Sequence, residues 1–291
     1  MIFDYRGGSW DLSERVRVVG ILNVTPDSFY DGGRYARPED AIARAEAMVA
    51  EGADSVDVGA QSTRPGAGAP PLSAEEEWQR LEPVVGVLAA RLPAPLPIDT
   101  YHAETARRAL GEGAAIVNDV SGLTHEPALA EHAARAGAGL VLMHALGVPG
   151  RMHEPREYAD VAAEVAGFLE RQMKVAGERG VPESRIALDP GIGFSKRAEQ
   201  SILALRGLPL LTRLGRPVYI GVSRKSFLGT LTGRSVEERL AAGLGVTIAA
   251  IALGARIVRT HDVRETADAV RAAEALLHPD PVRMTAAPAQ G

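Results

Sequence analysis

The stretch Val16-Arg17-Val18-Val19-Gly20-Ile21-Leu22-Asn23-Val24-Thr25-Pro26-Asp27 decides the fold, because an apolar run of strand length ends in an asparagine and then a proline turn. Inside a buried strand an amide is costly unless fully hydrogen-bonded, whereas at the carboxyl end it can meet a ligand while the backbone stays paired. Alone, this ending reads equally well as an Asx-type turn made by Asn23 and Thr25. The other strands separate the two readings.

Short apolar runs recur at 16–23, 55–58, 96–98, 115–117, 139–143, 186–188, 218–220 and 256–258. Each is followed by a helical pattern, at 38–51, 73–91, 103–110, 127–136, 158–179, 199–211, 236–253 and 263–277. Ser73 with Glu76 forms a capping box, and Pro38 with Glu39 and Asp40 makes a first turn. Glycines 52, 111, 137, 180 and 254 fall where helices stop. Eight strand-helix units point to a single-domain (β/α)₈ TIM barrel over 1–277, with a frayed, flexible tail from 278 to 291. An open doubly wound sheet is the alternative, but it calls for a glycine-rich GxGxxG turn after the first strand, and none stands there.

The chain has 291 residues, 46% hydrophobic and 24% charged, with a formal net charge of −5, so no basic field suits nucleic acid and no cationic cluster suits a membrane surface. Any anionic ligand must be held by local cations. The absence of cysteine excludes disulfides, thiolate nucleophiles and cysteine-based metal sites, and it accords with a reducing cytoplasm. Asp4, Arg6, Asp11 and Glu14 near the N-terminus leave no room for an apolar signal segment. The longest apolar run, 241–255, contains three glycines, is too short for a bilayer and reads as a buried helix. Two long Pro/Gly-rich connections, 25–37 and 59–72, read as lids.

The strand ends can now be compared. They deliver Asn23, Asp57, Asp99, Asn118 with Asp119, His144, Asp189, then Ser223-Arg224-Lys225, and finally Arg259 with His261. In a barrel these lie at the catalytic rim, and eight polar endings of such mixed type are not explained as helix caps. Asp99, Asn118 and Asp189 suit a flat edge of N–H donors, Arg259 and His261 suit phosphate oxygens, and Asn23 suits Mg²⁺ shared with substrate phosphates.

The motifs "GILNVTPDSFYDGG" (20–33), "DVGAQSTRPGA" (57–67), "IDT" (98–100), "IVNDVSG" (116–122), "LMH" (142–144), "DPGIGF" (189–194), "SRKSFLG" (223–229) and "RTHDV" (259–263) lie in register with the eight strand ends. Together they give a chain that resembles the dihydropteroate synthases of the pterin-binding enzyme family. The resemblance implies condensation of 6-hydroxymethyl-7,8-dihydropterin diphosphate with 4-aminobenzoate to dihydropteroate and diphosphate, in a cytoplasmic, Mg²⁺-using homodimer that sulfonamides target. It implies that Asp99, Asn118, Asp189 and Lys225 bind the pterin, with Met143 and Phe194 beside its ring. Asn23, Arg259 and His261 would hold the diphosphate, Asn23 through Mg²⁺. Thr63, Arg64, Pro65, Phe194 and Ser226 would form the 4-aminobenzoate site, while Phe29 and Asp31 close over it. Lys225, Arg259, His261, Asp31 and Arg64 would be the catalytic group.

The chain departs from the family pattern at Ala60-Gln61, where Gly-Glu is usual, in the segment "ALGVPGRM" (145–152), and at Pro97. Two alternatives stay open at this level: a pterin-binding paralogue without synthase activity, and a pterin-dependent methyltransferase domain. The latter has no use for "STRPG" (62–66) or for the pair Arg259 and His261.

Overall fold

A computed structural model describes residues 1–13, 15–24, 37–61 and 71–277. The elements in chain order are β1 (Ile2–Tyr5), β2 (Gly8–Asp11), β3 (Arg17–Asn23), α1 (Pro38–Ala50), β4 (Ser55–Gly59), α2 (Ala74–Arg91), β5 (Pro97–Asp99), α3 (Ala103–Gly111), β6 (Ile116–Asp119), α4 (Leu129–Ala136), β7 (Gly139–Met143), α5 (Val161–Glu178), β8 (Ile186–Asp189), α6 (Ala198–Arg206), α7 (Leu208–Thr212), β9 (Val218–Gly221), α8 (Ser226–Thr232), α9 (Leu240–Ala252), β10 (Ala255–Thr260) and α10 (Val263–Leu277). Strands β3 to β10 close into a parallel barrel in sequence order, with β10 pairing both β3 and β9. The (β/α)₈ expectation therefore holds.

Register places the site. Asn23 pairs with Gly59, Gly59 with Asp99, and Asp99 with Asn118, so these carboxyl-terminal residues stand in one ring. Met143 pairs with Asp189 further round. Pro97 is tolerated because it opens β5, where an amide donor is least needed.

Helix signals behave as their chemistry requires. Glu76 N donates to Ser73 Oγ at 3.3 Å and Ser73 N donates to Glu76 Oε2 at 2.9 Å, completing the capping box. Gly137 ends α4 in the left-handed region at φ 63°. Two helical expectations need correction: the stretch 199–211 breaks at Gly207 into α6 and α7, and 236–253 begins as a 3₁₀ turn (Val236–Glu238) before α9. Pro209 at the start of α7 explains the first break, because proline is accommodated only in a first turn.

The hairpin β1–β2 plugs the amino-terminal end of the barrel. Phe3, Trp10 and Leu12 pack there against Val19, Val141, Ala187, Tyr219 and Ile257. Gly139 permits this, since a Cβ in its place would stand 2.7 Å from Phe3 Cζ. The run 241–255 is not the buried helix expected: within α9 only Gly243, Thr247, Ala250 and Ile251 are buried, while Ala241, Gly245, Ala249 and Ala252 face outward.

Candidate active site

A cavity of about 270 Å³ opens at the carboxyl-terminal mouth of the barrel. Among its lining are Asn23, Asp99, Asn118, Met143, Asp189, Phe194, Lys225, Ser226, Arg259 and His261, all expected from the sequence. Asp31, Thr63, Arg64 and Pro65, with Phe29, lie outside the described residues.

The floor of the cavity is a charge lattice. Arg259 donates from Nε to Asp57 Oδ2 at 2.5 Å and from Nη2 to Asp99 Oδ2 at 2.7 Å. Asn118 Nδ2 donates to the same Asp57 oxygen at 2.9 Å. Burial works against the charge of Arg259, yet Asp57 and Asp99 together hold its guanidinium above the ordinary range. One cation cannot neutralise two carboxylates. Burial pushes the Asp99 carboxyl up to about 7, with Arg259 opposing and the like charge of Asp57 adding.

Asp57 is the residue that sequence reasoning noted at a strand end without giving it a role. It is fully buried, and among the described residues its Oδ1 has no hydrogen-bond partner. Its partners Asn118 and Arg259 stand 61 and 202 positions away, so no local pattern announces the contact.

The opposite wall is the segment 189–196, which has a backbone of its own design. Asp189 Oδ1 accepts from Gly191 N at 2.7 Å, tightening the turn. Gly191 has φ 66°, and any Cβ there would overlap the carbonyl oxygen of His144. Lys196 is buried and uses its three donors fully, on His144 Nδ1 at 2.8 Å, Gly191 O at 3.1 Å and Phe194 O at 3.2 Å. Burial lowers the Lys196 ammonium to about 7, and burial together with Lys196 lowers His144 to about 3, leaving a neutral imidazole whose Nδ1 accepts. Ser195 sits at φ 53°, a strained position tied down by its hydroxyl, which accepts from Leu146 N at 2.8 Å and contacts Met152 O at 2.9 Å.

That framework presents Phe194 to the cavity. His153 stacks on its ring at 4.4 Å and 29°, and Lys225 Nζ lies 4.8 Å above the centroid. Lys225 also donates to Ile192 O. Burial lowers the Lys225 ammonium to about 8 against the pull of Asp189, whose own carboxyl is raised by burial and drawn back by Lys225. A cation, a carboxylate and an aromatic face thus converge on one wall, a combination that grips a flat heterocycle with an N–H and carbonyl edge.

His261 stands beside Ser223, whose hydroxyl meets Nδ1 at 3.1 Å and accepts from His261 N at 3.2 Å. Arg224, at φ 57°, pairs with Asp262. Ser226 is the exposed first residue of α8. His153, Ser223, Arg224 and Arg239 line the cavity without having been singled out as ligand contacts.

Three strand-end residues do not line the cavity, against the expectation that every strand delivers a polar group to one rim: Asp57 lies beneath it, bonded to Asn118 and Arg259, and Asp119 and His144 turn away. Asp119 turns into the loop after β6, accepting from Ser121 N at 2.8 Å, Ser121 Oγ at 2.7 Å and Leu123 N at 2.7 Å. It shapes a turn of its own loop and caps no helix, since α4 begins only at Leu129. His144 points outward to Phe168, 4.8 Å away on α5, and supports the site from behind through Lys196. The altered pair Ala60-Gln61 is anchored: Arg80 Nη1 donates to Ala60 O at 3.1 Å, and Gln61 Oε1 accepts from Tyr101 Oη at 3.1 Å and Leu72 N at 3.4 Å.

The pH behaviour of this floor can be stated. A ligand with ring N–H donors needs Asp99 as the carboxylate, so its affinity should be full above about pH 7 and decline as the pH falls through the raised value. Fluorescence titration of a pterin between pH 5 and 8.5 measures this, and Asp99→Asn should bind weakly with that pH dependence removed.

Comparison with known proteins fits the geometry. Residues 19–261 match the family described as pterin binding enzyme. The chain is 46% identical over 268 residues to a dihydropteroate synthase of Synechocystis, covering 92% of each chain. It superposes on the Xanthomonas albilineans dihydropteroate synthase solved with 4-aminobenzoic acid with a TM-score of 0.86 at 40% identity, covering 96% of this chain and 99% of that one. The same enzyme with 7,8-dihydropteroate gives a TM-score of 0.84 at 37% identity, again over 96% and 99%. With a closed barrel whose mouth assembles the acidic, amide and cationic groups at matching strand ends, this chain belongs to the pterin-binding enzyme family.

Proposed function

We infer that the chain condenses 6-hydroxymethyl-7,8-dihydropterin diphosphate with 4-aminobenzoate, the dihydropteroate synthase reaction. The observation that carries this reading is the convergence, on one cavity, of Asp99, Asn118, Asp189 and Lys225 with Asn23, Arg259 and His261. Groups suited to a pterin edge and groups suited to phosphate oxygens share the one barrel mouth. A pterin carrier or a methyltransferase domain needs only the first.

In the proposed arrangement the Asp99 and Asp189 carboxylates accept from the amino and ring N–H groups of the pterin. Lys225 donates to its carbonyl edge, and Met143 and Phe194 hold the ring plane. Arg259 and His261 stabilise the charge of the diphosphate as the bond from the exocyclic methylene carbon to oxygen breaks and its electron pair leaves with the phosphate. The electron-rich ring bears the cation at that carbon. The neutral aromatic amine then attacks with its lone pair, forming the C–N bond and releasing a proton. Thr63, Arg64, Pro65 and Ser226 are assigned to 4-aminobenzoate, and Asp31 to the covering of the site.

Asn23 lines the cavity and would offer its amide oxygen to Mg²⁺, while Asp57 and Asp99 are bonded to Arg259. A single protein oxygen fits an ion that keeps several waters and takes its other ligands from substrate phosphates. Bound with the substrate, Mg²⁺ supplies charge neutralisation on the diphosphate.

The decisive experiment incubates the purified chain with pterin diphosphate, labelled 4-aminobenzoate and Mg²⁺. Labelled dihydropteroate with stoichiometric diphosphate is expected, whereas pterin binding without product would establish a carrier.

No helix among the described residues is long and apolar enough to cross a membrane. We place the reaction in the cytoplasm and the chain in a homodimer. The outward small residues of α9, flanked by exposed Val236 and Leu253, support a self-complementary face. A Cβ at Gly245 meets open space. Gly245→Glu should therefore fold normally and sediment as a monomer, where the parent chain sediments as a dimer.

A further inference from the structure

Outside the cavity, three residues bring metal-ligating atoms together where β5 leads into α3 and β6 into α4. One ring nitrogen of His102, one of His125 and a Glu126 carboxylate oxygen all lie within 4.8 Å of one another. His102 Nδ1 is 2.9 Å from Glu126 Oε1, and His125 Nε2 is 3.7 Å from the same oxygen.

The hydrogen bonds around the cluster restrict what can occupy it. His102 Nε2 is 3.0 Å from the backbone carbonyl of Leu72, which can only accept, so Nε2 carries the ring proton. Nδ1 then faces a carboxylate oxygen at hydrogen-bond distance. A lone pair there would oppose a lone pair. The contact is favourable only with a cation between the two atoms, either a second proton or a metal ion. His125 brings a further ring nitrogen to within 3.7 Å of the same oxygen.

The surroundings are those of a ligand set held in advance. Ala103 N donates to Glu126 Oε2 at 2.8 Å, fixing the carboxylate and leaving Oε1 for the centre. The Leu72 carbonyl fixes the tautomer and plane of His102, the outer-shell arrangement that metal-bound imidazoles favour. Tyr101 packs against both rings, with centroids 4.5 and 5.2 Å away. His102 is buried, while His125 and Glu126 keep 35% and 37% of their side-chain surface, which gives an ion a path from solvent and room for water ligands.

We propose that His102, His125 and Glu126 form a site for a borderline divalent transition ion of the Zn²⁺ class, with water completing the coordination. Metal–nitrogen and metal–oxygen bonds of about 2.0–2.2 Å put tetrahedral ligands roughly 3.3 Å apart. The 2.9 and 3.7 Å separations bracket that spacing. Two imidazoles select against Mg²⁺, which prefers oxygen ligands, so this site and the ion required by the diphosphate do not compete. The consequence is local. Through His102 the ion pins Leu72, and Leu72 N is bonded to Gln61, so both ends of the second rim connection are tied to the barrel three residues beyond Asp99. This proposal does not rest on the synthase reading.

The test uses the full chain freed of metal with a chelator. Calorimetric titration with Zn²⁺ should give one saturable site, and titration with Co²⁺ should give the visible absorption of a low-coordinate ion with nitrogen ligands. His125→Ala and Glu126→Gln change partly exposed side chains, so both should fold. Each should weaken Zn²⁺ binding by about 10–100-fold and remove the Co²⁺ spectrum, while millimolar Mg²⁺ leaves it unchanged. Absence of saturable Zn²⁺ binding by the parent chain would overturn the proposal in favour of a protonated His102–Glu126 ion pair. Unchanged affinity and spectrum in both variants would overturn it in favour of a Zn²⁺ site elsewhere.

Discussion

Arg259→Met is expected to lower the stability of the chain by about 3–5 kcal/mol at pH 8 and to remove measurable synthase activity. The reason is the floor lattice, in which one guanidinium bonds both Asp57, fully buried, and Asp99. Methionine fills much of the volume but leaves two carboxylates facing each other without a cation. Removing one partner of a buried ion pair costs far more than the pair itself contributes, because the remaining charge keeps its desolvation penalty. The sign of the pH effect follows. In the variant the Asp99 carboxyl loses the opposing charge of Arg259 and is raised further above its unfolded value, so the loss is largest at high pH and is relieved as acidification protonates it. Urea unfolding at pH 8 and pH 5 measures it. Equal losses at both pH values would show that unpaired carboxylate charge is not the cause. Arg259→Lys keeps the charge but cannot bond on two sides, and should recover stability more fully than activity.

Lys225→Met is expected to lower kcat/KM by about 10²–10³-fold and, by leaving buried Asp189 without its balancing charge, to lower the unfolding midpoint as well. Lys225 lies above Phe194, bonds Ile192 O and balances Asp189, so it presents a half-buried ammonium to the cavity. A donor aimed at a carbonyl edge from such a site is worth much more than the same donor in water. Steady-state rates with varied pterin diphosphate, together with equilibrium binding of the pterin, divide the effect between binding and turnover. A change of less than about threefold would remove Lys225 from the site, since even one neutral hydrogen bond is worth about that much.

How far the site could be read in advance depended on the range of each interaction. Asn23, Asp99, Asn118 and Asp189 were legible because each ends an apolar run, and in a parallel barrel all such endings share one face. The role of Asp57 was not, and Lys196 was not at all. The first acts through partners 61 and 202 positions away, and the second through a bond across 52 positions to His144. Asp119 shows the converse, a strand-end carboxylate whose partners are two to four residues ahead and whose role is to shape its own loop. The hairpin β1–β2 escaped notice because two four-residue strands carry too little pattern, and their apolar residues are held only by the barrel they plug.

The order and number of the barrel strands, the side of the barrel that carries chemistry and the family were all determined by the sequence alone, because local periodicity and the identity of the residue ending each strand are written consecutively in the chain. Tertiary structure decided which of those polar endings meet. It coupled Arg259 to two carboxylates, turned His144 outward to accept from Lys196, left one face of α9 uncovered and drew His102, His125 and Glu126 together. Burial and distance between remote residues set these outcomes, and both come into being only when the barrel closes.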